Sequence, residues 1–299
     1  MEKPAATLAS PLARPAFAWL DRVAEPLQAT AGGLMRGSAT GLRVKSLLNG
    51  TPFRHRLHPA IVTAPLGAWT TAVVLDALEG AVSQGNRPGM RAAADAAIAF
   101  GLLSSLPAAL TGVADWVDTN GRPRRVGVAH ALLNVAALGC FGTSLALRLG
   151  GARGPAKAVS GLGFGVVTLS AMLGGELVFN LGVNVPHTLF PTPPEGFTDV
   201  LAASELAEGM PRVVEAGRVP VLLLRHEGEV LAVQEWCPHL GGPLSEGVFD
   251  GDVVECPWHQ SRFCLRDGTP LQGPASVPLR TFDVMERAGR IYIKPAIEG

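Results

Sequence analysis

Residues 237–263 read CPHLGGPLSEGVFDGDVVECPWHQSRF, and this stretch decides the fold of the second half of the chain. Cys237-Pro238-His239 is followed by 16 residues and then by Cys256-Pro257-Trp258-His259. Two cysteines and two histidines, paired at short range on two loops, meet around metal only if a scaffold brings the loops together. The flanking sequence supplies one. Short β-type runs lie at 219–225, 230–236, 253–256, 277–284 and 290–293. Between them stand turn signals, Glu227-Gly228, Asp250-Gly251, Asp267-Gly268 and Ala288-Gly289, of the kind that closes hairpins. These features predict a small all-β domain over residues 197–299.

The ligand types alone leave two readings open, because a Cys2His2 zinc site uses the same residues. The context favours a sulfide-bearing cluster. Gly241, Gly242, Ser261 and the neighbouring amides stand beside the four residues, and N–H and O–H donors to sulfur tune a cluster's reduction potential. Four cysteines are too few for a disulfide scaffold in 299 residues. Cys264 and Cys140 read as packing residues, and His226 as a solvated strand end.

CPHLGGPL and CPWHQSRF resemble the two boxes of the Rieske [2Fe–2S] proteins, over about residues 197–297, and Gly273-Pro274-Ala275 resembles their cluster-covering proline loop. The resemblance implies one [2Fe–2S] cluster per chain. Cys237 and Cys256 would ligate one iron as thiolates, and His239 and His259 the other. Leu240, Gly241, Gly242, Trp258, Ser261, Phe263 and Pro274 would surround it. The chain departs from the pattern in places. Where Rieske proteins of cytochrome bc complexes usually carry a disulfide, it has Gly242 and Trp258, and Phe263 stands where they often have tyrosine. Gln260 replaces a common glycine. Fewer donors to the sulfurs imply a potential nearer roughly −150 mV than +300 mV, and the missing disulfide agrees with a reducing compartment.

Upstream the texture is different. Four apolar stretches run at about 60–80, 92–116, 127–148 and 158–184. Each is close to the ~20 residues that cross a hydrocarbon core of ~30 Å. Residues 127–148, GVAHALLNVAALGCFGTSLALR, lack the polar stripe of a soluble helix. Residues 1–57 are basic and suit either short helices at a membrane surface, at 17–27 and 42–48, or a loosely ordered tail. No compact apolar core lies near Met1, so a cleaved leader is not expected. Pro191, Pro193 and Pro194 stiffen a linker. The expected architecture is therefore a basic segment (1–57), a four-transmembrane-helix domain (58–187), a Pro-rich linker (188–196) and the β domain (197–299).

Charge orients this plan. Residues 1–57 and the loop between spans two and three hold 11 Lys/Arg, against five in the other two loops. That bias predicts an inner (cytoplasmic) membrane protein with both termini, and the β domain, in the cytoplasm. Ionisable residues at membrane depth are expensive, and here they are Asp76, Asp95, Asp115, Glu176 and His130. His55, His58, Asp115, His130 and His187 gather toward the cytoplasmic end of the spans. A haem b held by His58 and His130 is one reading, a quinone or proton pocket a second, and helix-end histidines facing headgroups a third. HRLHPAIVTAPLGAWTTAVVLDAL and LPAALTGVADW resemble a family of bacterial four-helix membrane proteins, some fused to Rieske domains. That family has no established activity to carry over.

Composition narrows the function classes. Charged residues are 17% of the chain and the formal net charge is zero, which excludes a disordered chain and a nucleic-acid binder driven by basicity. Residues 1–195 carry 16 Lys/Arg against 10 Asp/Glu, and residues 196–299 carry 9 against 15. The acidic half suits a basic redox partner. The expected function is one-electron transfer by a membrane-anchored Rieske protein, between a cytoplasmic donor and a membrane or soluble acceptor. The alternatives are an oxidoreductase with a haem or quinone site in the bundle, and a redox sensor. A Rieske-type oxygenase is not expected. It needs a large domain with a 2-His-1-carboxylate iron site, and 36 residues follow Phe263.

Overall fold

A computed structural model describes residues 12, 17–186 and 192–296. His187 and residues 188–191 of the expected linker lie outside the described residues. The chain forms two compact units, one of residues 1–33 and 57–183, the other of residues 34–56 and 184–299. The basic segment expected as one piece over 1–57 is therefore divided, and its second half folds with the β domain.

The first unit is helical. Helix α1 (Trp19–Arg36) begins on it, and α3 (His58–Ile61), α4 (Thr63–Leu78), α5 (Arg87–Trp116), α6 (Gly121–Leu149) and α7 (Arg153–Phe179) complete it. Among the described residues, four segments are long and apolar enough to cross a membrane: His58–Ala81, Gln84–Trp116, Gly121–Leu149 and Arg153–Asn180. Pro65 sits in the first turn of α4, where its missing N–H costs no helical bond. Small residues set the packing. The Trp69 and Phe141 rings stack at 4.3 Å between centroids, and a Cβ at Gly101 would collide with the Trp69 indole.

Three of the ionisable residues at membrane depth, Asp76, Asp95 and Glu176, are ion-paired. Arg148, whose side chain is fully buried, bonds both Asp76 and Asp95, the latter at 2.8 Å. Arg153 meets Asp95 at 2.9 Å, and Arg91 and Lys157 flank Glu79. Arg122 holds Glu176 at 3.1 Å. Helix α1 does not present its apolar face to lipid alone. Leu20 and Ala24 are buried in a cluster with Val128, and Asp21 accepts from Arg125 at 2.7 Å and Arg124 at 3.1 Å.

In the second unit, α2 (Ala39–Asn49) starts at Ser38, whose Oγ accepts from the Gly41 N–H at 3.0 Å, and stops at Gly50, where φ is 82°. The described residues of the β domain form ten strands: β1 (Thr198–Ala202), β2 (Arg212–Ala216), β3 (Val219–His226), β4 (Glu229–Gln234), β5 (Val248–Asp250), β6 (Val253–Glu255), β7 (Arg262–Cys264), β8 (Pro270–Gln272), β9 (Phe282–Arg287) and β10 (Arg290–Pro295). They make three antiparallel sheets, ordered β1-β10-β9, β2-β3-β4 and β5-β6-β7-β8.

The β3–β4 hairpin is covered on both faces. Val221 and Leu223 pack with Phe282, Ile291 and Ile293, while Leu222 and Leu224 pack with Leu244, Val254 and Phe263. Strand side chains alternate with period 2, so a strand buried on both faces reads as an unbroken apolar run. Each such side chain contributes roughly 1.5–3 kcal/mol of burial. The hairpin turns fall at Glu227-Gly228 and Ala288-Gly289, all four residues with positive φ, as a two-residue turn between twisted strands requires. Of the expected run 277–284, residues 282–284 are strand, Thr281 forms an isolated bridge to Val233, and residues 277–280 precede it without strand structure.

Candidate iron–sulfur centre

The two boxes fold into the same turn. In the first, the Cys237 N–H donates to Gly242 O at 2.9 Å and the Gly241 N–H to Cys237 O at 2.8 Å. In the second, the Cys256 N–H donates to Ser261 O at 2.8 Å and the Gln260 N–H to Cys256 O at 3.1 Å. The first turn leaves β4 and the second joins β6 to β7, so the scaffold sets the loops face to face. The backbone amides of His239 and Leu240 point at the Cys237 sulfur, and those of Trp258 and His259 at the Cys256 sulfur. Both turns thus aim the amides two and three residues after the cysteine at its Sγ, a concavity that suits a thiolate.

Both cysteines are buried and lie within hydrogen-bond reach of each other. That bond, followed by the Trp258 and His259 amides, brings the Cys256 thiol down to about 7, although burial opposes it. The same bond and burial hold the Cys237 thiol up. The imidazoles of His239 and His259 stand edge to face at 4.9 Å. Burial, joined by the charges of Arg56, His259 and Lys45, drives the His239 pKa down, which keeps the ring in the neutral form that binds metal.

The donors fit a two-iron cluster. They fall into a sulfur pair and a nitrogen pair, and among the described residues no three His, Cys, Asp or Glu side chains converge to hold one ion. A mononuclear Cys2His2 zinc site needs all four around one metal. The surroundings fit as well. Ser261 is fully buried, and its Oγ accepts from the Ala275 N–H at 3.0 Å. Phe263 lies in the core behind the second turn, and Leu240 is half-buried. At Gly242 a Cβ would sit 2.9 Å from the Cys256 sulfur and 3.1 Å from the Trp258 ring, so only glycine allows the two boxes to approach.

Pro274 lies in the loop 273–276, all of it buried. Two residues missed in the sequence reading hold that loop. Ser46 Oγ accepts from the Gly273 N–H at 2.8 Å, and Thr51 Oγ1 donates to Ala275 O at 2.8 Å. They lie more than 220 residues away in sequence, and no motif marks them. Glu235 was also missed. It is buried, accepts from Ser245 Oγ at 2.6 Å and braces the first turn from behind. A carboxylate inside the apolar run 230–236 was its only signal.

The helical candidates take other places. The His58 Nδ1 lies 3.0 Å from Ala108 O. His130 has Nδ1 2.7 Å from Ser170 O and Nε2 3.1 Å from Asn134 Nδ2. His55 belongs to the other unit, with Nδ1 2.9 Å from Arg56 O. Asp115 is buried at the end of α5.

A helical unit with four membrane-length helices and a β unit with paired Cys–His turns define the class: a membrane protein carrying a Rieske domain. The chain belongs to the Rieske [2Fe–2S] domain family through residues 196–283, and residues 54–187 match the family described as predicted membrane protein (DUF2231). The β unit is similar to ferredoxin CarAc of Metapseudomonas resinovorans, 38% identical over 95 residues, which are 31% of this chain and 89% of that protein. It is 42% identical over 87 residues to the ferredoxin component of biphenyl 2,3-dioxygenase from Rhodococcus jostii (strain RHA1), covering 29% of this chain and 81% of that one. A solved complex of reduced oxygenase and oxidized ferredoxin in carbazole 1,9a-dioxygenase matches with 34% identity and a TM-score of 0.33, over 35% of this chain and all of that one.

Proposed function

We propose that this chain is a membrane-anchored one-electron carrier, in which Cys237 and Cys256 hold one iron of a [2Fe–2S] cluster and His239 and His259 the other. The cluster, when bound, takes up and releases one electron. The chain's own residues do the rest. The two turns point four amides at the thiolates, Ser261 adds a buried hydroxyl, and the apolar residues behind them exclude water. The pairing of the two Cys–His turns carries this reading, and relatives named as ferredoxins support it.

The four membrane-length helices support anchoring, and the charge bias of the loops supports an inner membrane with the Rieske unit on the cytoplasmic side. The folded β unit attracts a basic partner less strongly than residues 196–299 alone would. With residues 34–56 included, the β unit carries 14 Lys/Arg against 16 Asp/Glu. An oxygenase component is one partner of matching chemistry, by analogy with the relatives. A quinone in the bundle is a second acceptor, and membrane lipid surrounds it. A haem b on His58 and His130 is disfavoured by the bonds that already engage both ring nitrogens of His130.

The experiment is electron paramagnetic resonance of the dithionite-reduced full-length protein, with iron and acid-labile sulfide assays. A Rieske signal lost in Cys256→Ser and His259→Ala is expected. Zinc without iron in freshly purified protein would overturn the reading. An optical spectrum of the same sample reads the haem, since a Soret band lost in His130→Ala would restore it.

A further inference from the structure

Residues 45–56 have no place in the electron-carrier reading, yet they are packed against the 273–276 loop beside its centre. Lys45, Ser46, Asn49 and Thr51 are all buried. Ser46 and Thr51 bond the Gly273 N–H and the Ala275 carbonyl, and Arg54 Nη2 reaches Thr269 Oγ1 at 3.4 Å. The fit is close enough that a Cβ at Gly273 would collide with Thr51 Oγ1 and stand 3.2 Å from Ser46 Cα. A cavity of about 200 Å³ remains where Arg54, His55 and Arg56 face Pro238, Ser276 and Val277.

The two turns are consequently exposed unequally. In the first, Cys237, Pro238 and His239 are buried, His239 with 2% of its surface exposed. In the second, Pro257, Trp258 and Gln260 are exposed, Trp258 by 54%, and His259 is half-buried between them. The indole of Trp258 stands 6.4 Å from the His259 ring. Two turns of one geometry thus differ in access, and the buried one is the one whose Pro238 faces Arg54, His55 and Arg56 across the cavity.

We propose that residues 45–56 are a built-in cover over the His239 side of the centre, leaving the His259–Trp258 side as the port for electron exchange. Ser46 and Thr51 are positioning residues that fasten the cover to the 273–276 loop. The charges of Lys45 and Arg56 act on His239, and positive charge there favours the reduced centre. The port rests on the ligand assignment proposed above, whereas the cover itself does not.

Three measurements on the full-length protein test it. Hydrogen exchange of the wild type reads the cover without reference to the cluster. Peptides spanning 45–53 and 272–277 should be protected together, and rapid exchange of 45–53 beside a protected 272–277 would overturn the cover. Stopped-flow oxidation of the reduced centre by hexacyanoferrate(III), which takes one electron to become hexacyanoferrate(II), reads access. The rate should rise severalfold in Ser46→Ala/Thr51→Val, and an unchanged rate with an intact resonance signal would overturn the shielding. If that variant loses its cluster, the exchange result decides. Gln260→Lys, on the open side, should speed oxidation by this anion severalfold, and an unchanged rate would overturn the port. Lys45→Met and Arg56→Gln should each lower the midpoint potential. An absent Rieske signal in the wild type would instead refute the ligand assignment and leave the exchange result standing.

Discussion

Gly241 and Gln260 occupy the same place in two copies of one turn, each four residues after a cysteine, and both adopt positive φ, 76° and 62°. Glycine takes that conformation freely, whereas a side chain there costs roughly 1–2 kcal/mol. The Gln272 amide holds the strained residue by donating to Gln260 O at 3.0 Å. Gln260→Gly should therefore stabilise the β unit by about 1 kcal/mol, and Gly241→Ala should destabilise it by a similar amount. The temperature at which the cluster's visible absorbance is lost measures both.

Ser261 links the second turn to the 273–276 loop. Ser261→Ala leaves the buried Ala275 N–H without its acceptor, at a cost of about 1–3 kcal/mol. It also removes a hydroxyl beside the proposed cluster ligands, so the midpoint potential should fall. A resonance-monitored redox titration reads the second effect separately from the first, since a change confined to stability would show that the hydroxyl serves Ala275 alone.

Arg148 joins Asp76 and Asp95 inside the helical unit. Removing one partner of a buried ion pair typically costs about 3–5 kcal/mol, because the remaining charge loses its compensation. Arg148→Met should lower the thermal midpoint in detergent sharply. Arg148→Met/Asp76→Asn should recover part of the loss, since Arg153 still pairs Asp95.

Asp21 ties α1 to α6, and its hydrogen bonds from Arg125 and then Arg124 hold its carboxyl below the ordinary value of 3.8. A carboxylate depressed in the folded state stabilises fully above its unfolded pKa, and the contribution is lost as pH falls through the folded value. The destabilisation caused by Asp21→Asn should be the same from pH 8 to about pH 5 and shrink below about pH 4. Thermal melts of both proteins across that range check the sign.

Local patterns were legible wherever one segment carried the whole signal. The unbroken apolar run of β3, the hairpin turns at Glu227-Gly228 and Ala288-Gly289, and the four long apolar stretches each have a direct cause in side-chain periodicity or backbone conformation. The paired Cys–His boxes were legible for the same reason, since each box is a single turn. The helix starts were less so. Arg87, Arg91 and Arg122 lie within helices that extend past the apolar stretches, because charged side chains can pair at the ends of a bundle without ending the helix.

What the sequence alone determined was the inventory: a membrane-length helical half, a β half and the two Cys–His boxes, each set by neighbours along the chain. Tertiary structure alone decided which charges neutralise one another, as Arg148 does for Asp76 and Asp95, and where residues 34–56 belong. Ser46 and Thr51 meet the 273–276 loop only after both segments have folded. Hydroxyls so common carry no mark of their distant partners until the chain brings them within 2.8 Å.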